Sequence, residues 1–243
     1  GESSYTGQEK IVLVKANKGT SSKTKFSLQG GKVMLGDFDY HLYERLTEEG
    51  KEYYLAHGVV EGVLPEKVTP KKFISEITNI GDFISVGPTS TGETVKDKKI
   101  KAETTQEEYA ISYHGDSQFE NSQLAALGGK GILSTNAKLS LINSSLMSNQ
   151  GLALEGTEEK ELLTVDKGSS LLLENSTGGA ALSIKNAKVR LNDVKKATLR
   201  GSYAIYSNGG NISGSGLFDI DGNIYHKGKG GINLTLEKGS LVN

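Results

Sequence analysis

The feature that most constrains how this chain can fold is a short apolar motif that starts with glycine and recurs through the C-terminal half. Five copies begin 20–30 residues apart, at Gly131, Gly151, Gly179, Gly201 and Gly231. Most copies are followed by a second short run in which apolar and polar residues alternate. A period of about 20–50 residues, built from short strands without a helical repeat, is typical of stacked solenoids. The sequence therefore predicts a repeat architecture.

The second run of each repeat predicts strands with one apolar side. In residues 187–192, Val189 and Leu191 point one way, while Lys188 and Arg190 point the other. A lone strand of this kind cannot bury its apolar side. Coiling the chain so that each turn lies on the previous one buries it and pairs the backbone. We therefore predict an all-β fold, a right-handed single-stranded parallel β-helix with an antiparallel β-meander as its cap.

The corners of such a coil need residues that accept a positive φ, as Gly and Asn do. We expect corners at Asn136, Asn143, Asn175, Asn186, Asn208 and Asn211. Stacked asparagines can also hydrogen-bond along the column. Two repeats carry insertions, at residues 157–161 and 225–229. We expect these to project outward, where solenoids often carry their binding surfaces.

The N-terminal segment has a different pattern. Residues 11–14 and 25–28 form two apolar runs, and a longer stretch follows in which Phe38, Tyr40 and Leu42 share one face. After a turn, residues 52–55 form a closing aromatic strand. These runs predict an antiparallel meander with an aromatic face, suited to covering the open end of a β-column.

This segment resembles the autochaperone module of pertactin-like autotransporter passengers. The resemblance lies in residues 31–42, which read Gly-Lys-Val-Met-Leu-Gly-Asp-Phe-Asp-Tyr-His-Leu, and in the closing run at residues 53–55, where Tyr53 replaces the usual Trp. It implies a type V secreted passenger with a parallel β-helix, secreted or displayed on the bacterial outer-membrane surface, that acts in virulence.

The resemblance suggests three segments, with residues 1–57 as the cap module, 58–106 as a linker or irregular segment, and 107–243 as the β-helix repeats. The linker contains Pro65, Pro70 and a charged run at residues 96–99. In the family the cap follows the helix, whereas here it precedes it. We therefore expect either a permuted order or a chain assembled from segments, with the cap stacked on the last repeat.

Composition excludes several classes of partner and cofactor. The net charge is −1, from 28 Lys and Arg against 29 Asp and Glu, which argues against a nucleic-acid partner. The chain has no Cys, so disulfides and thiolate metal sites are excluded. No apolar run approaches the ~20 residues that span a bilayer, so we expect no membrane insertion of this fragment.

The candidate chemical residues do not form a recognisable site. His41, His57, His114 and His226 are not spaced as zinc ligands. Residues 219–223 resemble the start of a calcium loop but lack its later Glu, so we expect a turn.

Enzymes of the pectate-lyase type set carboxylates and a basic residue along one face of a β-helix. Asp193, Asp219 and Arg200 are the candidates here, although nothing in the sequence places them together. We predict no catalytic, cofactor-binding or metal-binding residues and no cofactor.

The leading hypothesis is a non-enzymatic passenger that binds a host cell-surface protein or glycan receptor, as an adhesin or receptor-engaging virulence factor. The alternatives are a β-helix polysaccharide lyase or glycosidase, and a structural stalk. The sequence leaves the oligomeric state open.

Overall fold

The computed structural model describes residues 11–17, 32–35, 38–47, 50–57 and 70–243. These residues form strands and turns, with no helix among them. The strands are β1 (Ile11–Asn17), β2 (Val33–Leu35), β3 (Phe38–Thr47), β4 (Gly50–Ala56), β5 (Ile84–Ser85), β6 (Thr89–Ser90), β7 (Thr94–Lys96), β8 (Lys99–Glu103), β9 (Ile111–Tyr113), β10 (Ser117–Glu120), β11 (Gln123–Leu127), β12 (Ile132–Thr135), β13 (Leu139–Ile142), β14 (Ser145–Ser148), β15 (Leu152–Val165), β16 (Ser170–Leu236) and β17 (Leu241–Val242).

Strands β5 to β17 form a parallel β-solenoid of about six turns. It has three sides, and on each side strands from successive turns lie in register. The first side contains β5, β8, β11, β14 and the start of β16; the second contains β6, β9, β12, the start of β15 and part of β16; the third contains β7, β10, β13, the end of β15 and part of β16. The predicted parallel β-helix is confirmed.

The alternating pattern of each strand produces a dry core. On the first side Ile100, Leu124, Leu146 and Leu171 stack in register, one per turn. All four are buried and belong to one continuous cluster of aliphatic side chains. Each inward residue therefore packs between equivalents in the turns above and below, which a single repeat could not provide.

Strand β16 runs through several turns because its backbone stays extended and paired as it bends around the corners. Its start pairs with β14 and a later part pairs with β15. Glycines allow the bends. At Gly210, where φ is +150°, a Cβ would overlap the carbonyl oxygen of Ala187 in the neighbouring turn, so only glycine fits this close approach.

One corner is built from a polar column. Asp97, Asn121 and Asn143 have φ values of 54°, 47° and 46°. The side-chain amide of Asn121 donates to Asp97 at 2.8 Å, and that of Asn143 donates to Asn121 at 3.2 Å. The predicted asparagine ladder is therefore present, and it satisfies side-chain groups that would otherwise compete with the backbone.

Three of the six asparagines expected at corners have the positive φ that such a corner can require. Asn136, Asn143 and Asn186 have positive φ. The remaining three, Asn175, Asn208 and Asn211, are not among the residues with positive φ. A positive φ depends on where the coil bends, and residue type alone does not fix that position.

A column of buried serines was not expected. The hydroxyl of Ser144 accepts from the backbone N–H of Ser122 at 3.0 Å and donates to the carbonyl of Ile142 at 2.8 Å. Ser169 in the next turn accepts in the same way from Ser144. These hydroxyls satisfy backbone groups at a corner, where the chain is no longer paired strand to strand.

The solenoid begins earlier than we expected. Strands β5 to β8 lie within the segment that we assigned as linker, and they pair with the turns that follow. The turn-forming residues of this segment lie at corners of the coil. Asp97 of the charged run has the positive φ of a corner residue, and Val95, two positions earlier, is buried in the core. Residues 84–85 of this segment form β5, while the apolar residues at 73–77 form no strand.

The N-terminal segment is a four-stranded antiparallel sheet in the order β1-β4-β3-β2. The expected meander is confirmed, while the expected strand at residues 25–28 lies outside the described residues. Tyr43 and Tyr54 are directly opposite on β3 and β4, with ring centroids 5.7 Å apart.

The sheet lies on the last turn of the solenoid through β3. His41 Nδ1 is 2.9 Å from Asn233 Oδ1, and the ring of Tyr43 stacks on His226 with centroids 6.2 Å apart. Tyr53 joins the aliphatic cluster of the solenoid. Contact between this sheet and the last turn of the solenoid is the arrangement that a permuted order requires. Gly1 lies outside the described residues, so the permutation itself stays a prediction.

Candidate functional site

A shallow groove lies on the second side of the solenoid, with a volume of about 440 Å³. Its floor is made of small residues, among them Gly151, Ala153 and Ser183. Tyr203 and Tyr206 line one end, and Tyr109 lines the other. We call this site the tyrosine groove.

The strand register creates the depression. Ala153 and Ser183 are partners on adjacent strands, so two small outward side chains lie side by side. At Gly151, with φ of +80°, a Cβ would overlap the carbonyl oxygen of Ala180. The floor is therefore backbone and short side chains above the buried Leu152.

The tyrosines at one end form a ridge. The rings of Tyr203 and Tyr206 meet edge to face at 5.3 Å, and Tyr206 lies against Tyr225 at 5.0 Å. Burial, together with the neighbouring phenols of Tyr206 and Tyr225, raises the pKa of Tyr203. Its hydroxyl is therefore neutral and can both donate and accept hydrogen bonds.

A short loop after the first side forms one wall of the groove. The side-chain oxygen of Asn175 accepts from the backbone N–H groups of Thr177 and Gly179, both at 3.1 Å. Its amide donates to the carbonyl of Ala180 at 3.3 Å. The hydroxyl of Thr177 lies 3.0 Å from Gln150 Oε1 and donates to it. The wall is therefore held in place before any ligand arrives.

The groove carries little charge. Among the described residues that line it, Lys130 is the one that carries a charge, and its Nζ lies 5.8 Å from the ring centroid of Tyr109. Lys227 lies over Tyr206 at 5.9 Å, beyond the other end. Burial, and then the nearby Glu155, raise the pKa of Tyr109. Recognition here must depend on rings and uncharged polar groups.

Two of the three residues considered for a lyase site are brought together. The guanidinium of Arg200 lies 2.9 Å from Asp219 Oδ2 and 2.8 Å from Glu76 Oε1. Asp193 lies elsewhere, 3.8 Å from Lys167, where both side chains are largely exposed. The three candidates therefore do not form one site.

Residues 70–80, which we call the strap, lie over Glu174, Asp219 and Asp221 of the solenoid. We call these three carboxylates the acidic cluster. Glu174 is fully buried, and its carboxylate accepts from the Ser75 hydroxyl at 2.5 Å and from the Glu76 backbone N–H at 2.8 Å. Further along, Lys71 pairs with Asp221. The two carboxylates of the calcium-like sequence, Asp219 and Asp221, therefore each face a cation.

The four histidines lie apart from the groove. His41 and His226 are at the junction of sheet and solenoid, His57 Nδ1 is 2.6 Å from the Asp39 carbonyl, and His114 is exposed. Within the described ranges, no three His, Cys, Asp or Glu side chains lie close enough to share a metal ion.

The insertion at residues 157–161 is part of β15 and does not form a free loop. The backbone N–H of Thr157 donates to Asn136 at 2.8 Å, and Glu161 pairs with Arg190 at 3.0 Å and Lys138 at 3.3 Å. The hydroxyl of Thr164, and then these two cations, lower the pKa of Glu161. The segment is tied to turns on both sides.

The second insertion, residues 225–229, also lies within the coil. Tyr225 stacks on Tyr206, and His226 is buried with its Nδ1 2.8 Å from Ser207 Oγ. The expectation of a projecting loop is therefore wrong for residues 225–229, whereas residues 156–159 form a bulge in β15.

Sequence reasoning missed the tyrosine groove, although one signal for it exists. Tyr-Ala-Ile occurs at residues 109–111 and again at 203–205, so a tyrosine precedes the same apolar motif in two repeats. Only the strand register, however, shows that Ala153 and Ser183 are adjacent.

A scan against protein-family models, a search of curated proteins and a search of solved structures found no match to this chain. In the parts of the chain that the structure describes, there is no helix long and apolar enough to cross a membrane. The geometry of the groove is therefore the basis for assigning a function.

Proposed function

We propose that this chain is a passenger of the pertactin-like autotransporter type that binds a host cell-surface molecule through the tyrosine groove, without chemical change to it. The single observation that carries the binding role is the groove itself. It combines three tyrosines with uncharged polar groups over a floor of small residues. Concave sites with aromatic walls and a few fixed polar groups are typical of ligand binding.

The acidic cluster favours binding over catalysis. Acid–base chemistry needs a carboxyl group within reach of the substrate. Glu174 is buried under the strap, and Asp219 is held by Arg200. Arg200 would have to leave both Asp219 and Glu76 before it could contact a polysaccharide. The lyase alternative therefore requires a rearrangement that the binding role does not.

The resemblance of the N-terminal segment supports the passenger assignment and, with it, a location on the bacterial surface or in the medium. The aromatic hairpin that carries the resemblance forms strands β2 and β3, and β3 lies on the last turn of the solenoid. A sheet at this position covers edges that would otherwise invite aggregation.

A cell-binding assay with two matched variants tests the proposal. Ser183→Arg places a long side chain in the groove, and Ser140→Arg places the same side chain outward on the third side. We expect Ser183→Arg to weaken binding to host cells about tenfold or more, and Ser140→Arg to leave it unchanged. Equal binding by both variants, with thermal unfolding like that of the parent, would exclude the groove as the binding site.

A further inference from the structure

We infer that the ligand of the tyrosine groove is an uncharged oligosaccharide, recognised by stacking on tyrosine rings and by hydrogen bonds to its hydroxyls. This inference rests on the proposed function, which assigns binding to the groove, and adds the chemical class of the ligand. A sugar ring has a flat face of C–H groups and a rim of hydroxyls. A suitable site therefore offers flat apolar rings beside neutral donors and acceptors.

Two half-buried rings, Tyr109 and Tyr206, lie at the two ends of the groove, and the ring of Tyr203, which is 8% exposed, packs against Tyr206. Ile111, Ile132, Leu152 and Leu182 are stacked in register on the second side. Gly201 lies against Gly179, one further turn along. Tyr109 therefore lies about four strand spacings from Tyr203, which is about 19 Å. This is longer than a single sugar ring and suits an extended oligosaccharide lying along the column.

The polar groups are neutral and can both donate and accept. The Thr177 hydroxyl lies 3.0 Å from both Gln150 Oε1 and Asn175 Oδ1, and the Gln150 side chain lines the groove. The hydroxyl of Ser183 lies on the floor between the tyrosines. Hydroxyl and amide groups of this kind match sugar hydroxyls, which also donate and accept.

Charge does not support an acidic ligand. In the part of the chain that the structure describes, the lining contains one cation, Lys130, and it already lies over the ring of Tyr109. Both arginines of the repeats, Arg190 and Arg200, are paired with carboxylates elsewhere. Polyanionic sugars are held by clusters of Lys and Arg, and the groove has none.

The groove fits a protein partner less well. Protein interfaces depend on central apolar anchors in desolvated pockets. Among the described residues, the large apolar side chains that are exposed lie outside the groove, at Val12, Leu13, Met34, Ile74, Ile84 and Ile142. The aliphatic residue under the floor, Leu152, is buried. A protein loop would meet backbone and small residues there.

The first experiment measures binding of the purified chain to four probes: maltotetraose, cellotetraose, an N-acetyllactosamine tetramer and a heparin tetrasaccharide. We expect at least one neutral probe to bind, with an affinity that is unchanged between about 0.15 M and about 1 M salt. Tyr206→Ala should weaken this binding about tenfold, while Tyr206→Phe, which keeps the half-buried ring, should retain most of it. Binding of heparin alone, lost at high salt, would overturn the inference.

The second experiment uses host cells whose surface glycans have been oxidised with periodate. We expect binding of the parent protein to fall to the level of Ser183→Arg on untreated cells. If binding survives periodate but is still lost with Ser183→Arg, the ligand is a protein, so the inference fails and the proposed function stands. If Ser183→Arg binds cells like the parent, the proposed function itself fails.

Discussion

The strap is tied to the solenoid by the ion pairs Glu76–Arg200 and Lys71–Asp221, and hydrogen bonds to one buried carboxylate should contribute most to holding it. None of residues 70–80 is buried, and Ile74 is 90% exposed, so apolar contacts contribute little to holding it. Glu174 is fully buried and accepts from Ser75 and Glu76. The substitution Glu174→Leu removes both acceptors and keeps a side chain of similar size.

The expected size of the effect follows from these two contacts. A hydrogen bond to a charged group contributes about 1.5–3 kcal/mol. The strap is partly hydrated when released, so we take the lower value for each bond, about 3 kcal/mol in total. This corresponds to about a hundredfold increase in the population with the strap detached. The solenoid itself should keep its stability, because leucine suits the buried position of Glu174.

Hydrogen exchange resolved by segment measures this change. In Glu174→Leu, we expect the amides of residues 73–77 to exchange about a hundredfold faster, with the core strands unchanged. The control is Glu107→Gln, which alters an exposed carboxylate outside the cluster. Unchanged exchange in the strap would show that Arg200 and Lys71 hold it without Glu174, and would refute the reasoning.

Three further predictions concern stability. Burial lowers the pKa of His226 in the folded protein, so this imidazole binds a proton more tightly in the unfolded chain. The free energy of unfolding should therefore be constant above about pH 6.5 and should fall below that pH. This fall should be smaller in His226→Phe, and an equal fall in both proteins would assign it to other groups. Leu146→Ala should cost about 2–5 kcal/mol in urea unfolding, because Leu146 is fully buried between Leu124 and Leu171; a cost below that of Ile→Val changes would mean that the core is not close-packed there. Asn143→Ala should cost about 1–2 kcal/mol, because alanine tolerates the φ of 46° poorly and the bond to Asn121 is lost; unchanged stability would argue against the column.

Much of the fold could be predicted because it depends on sequence patterns that extend over a few residues. The alternation around Val189 and Leu191 gives strands with one apolar side, and both residues are buried as expected. The start of the solenoid was placed too late, because residues 84–106 share turn-forming residues and charges with true linkers. Their assignment depends on pairing with later turns, such as Ile84 with Ile100, and no local pattern records that pairing.

The functional residues were harder to predict. Arg200 and Asp219 are 19 positions apart in the chain, and they meet because one turn of the coil separates them. Asp193 has the same chemistry but lies at a corner, with a φ of 46°. The length of each turn decides which side a residue occupies, and this length varies along the chain.

By itself, the sequence determined that the chain forms strands, that their apolar sides must stack, and that an aromatic antiparallel sheet accompanies them. These properties follow from side-chain alternation and turn-forming residues, which act over a few positions. The tertiary structure decided the register. It placed Ala153 beside Ser183, put tyrosines at both ends of their groove, and laid the strap over Glu174. Such contacts join residues many positions apart, so they exist only once the turns have stacked.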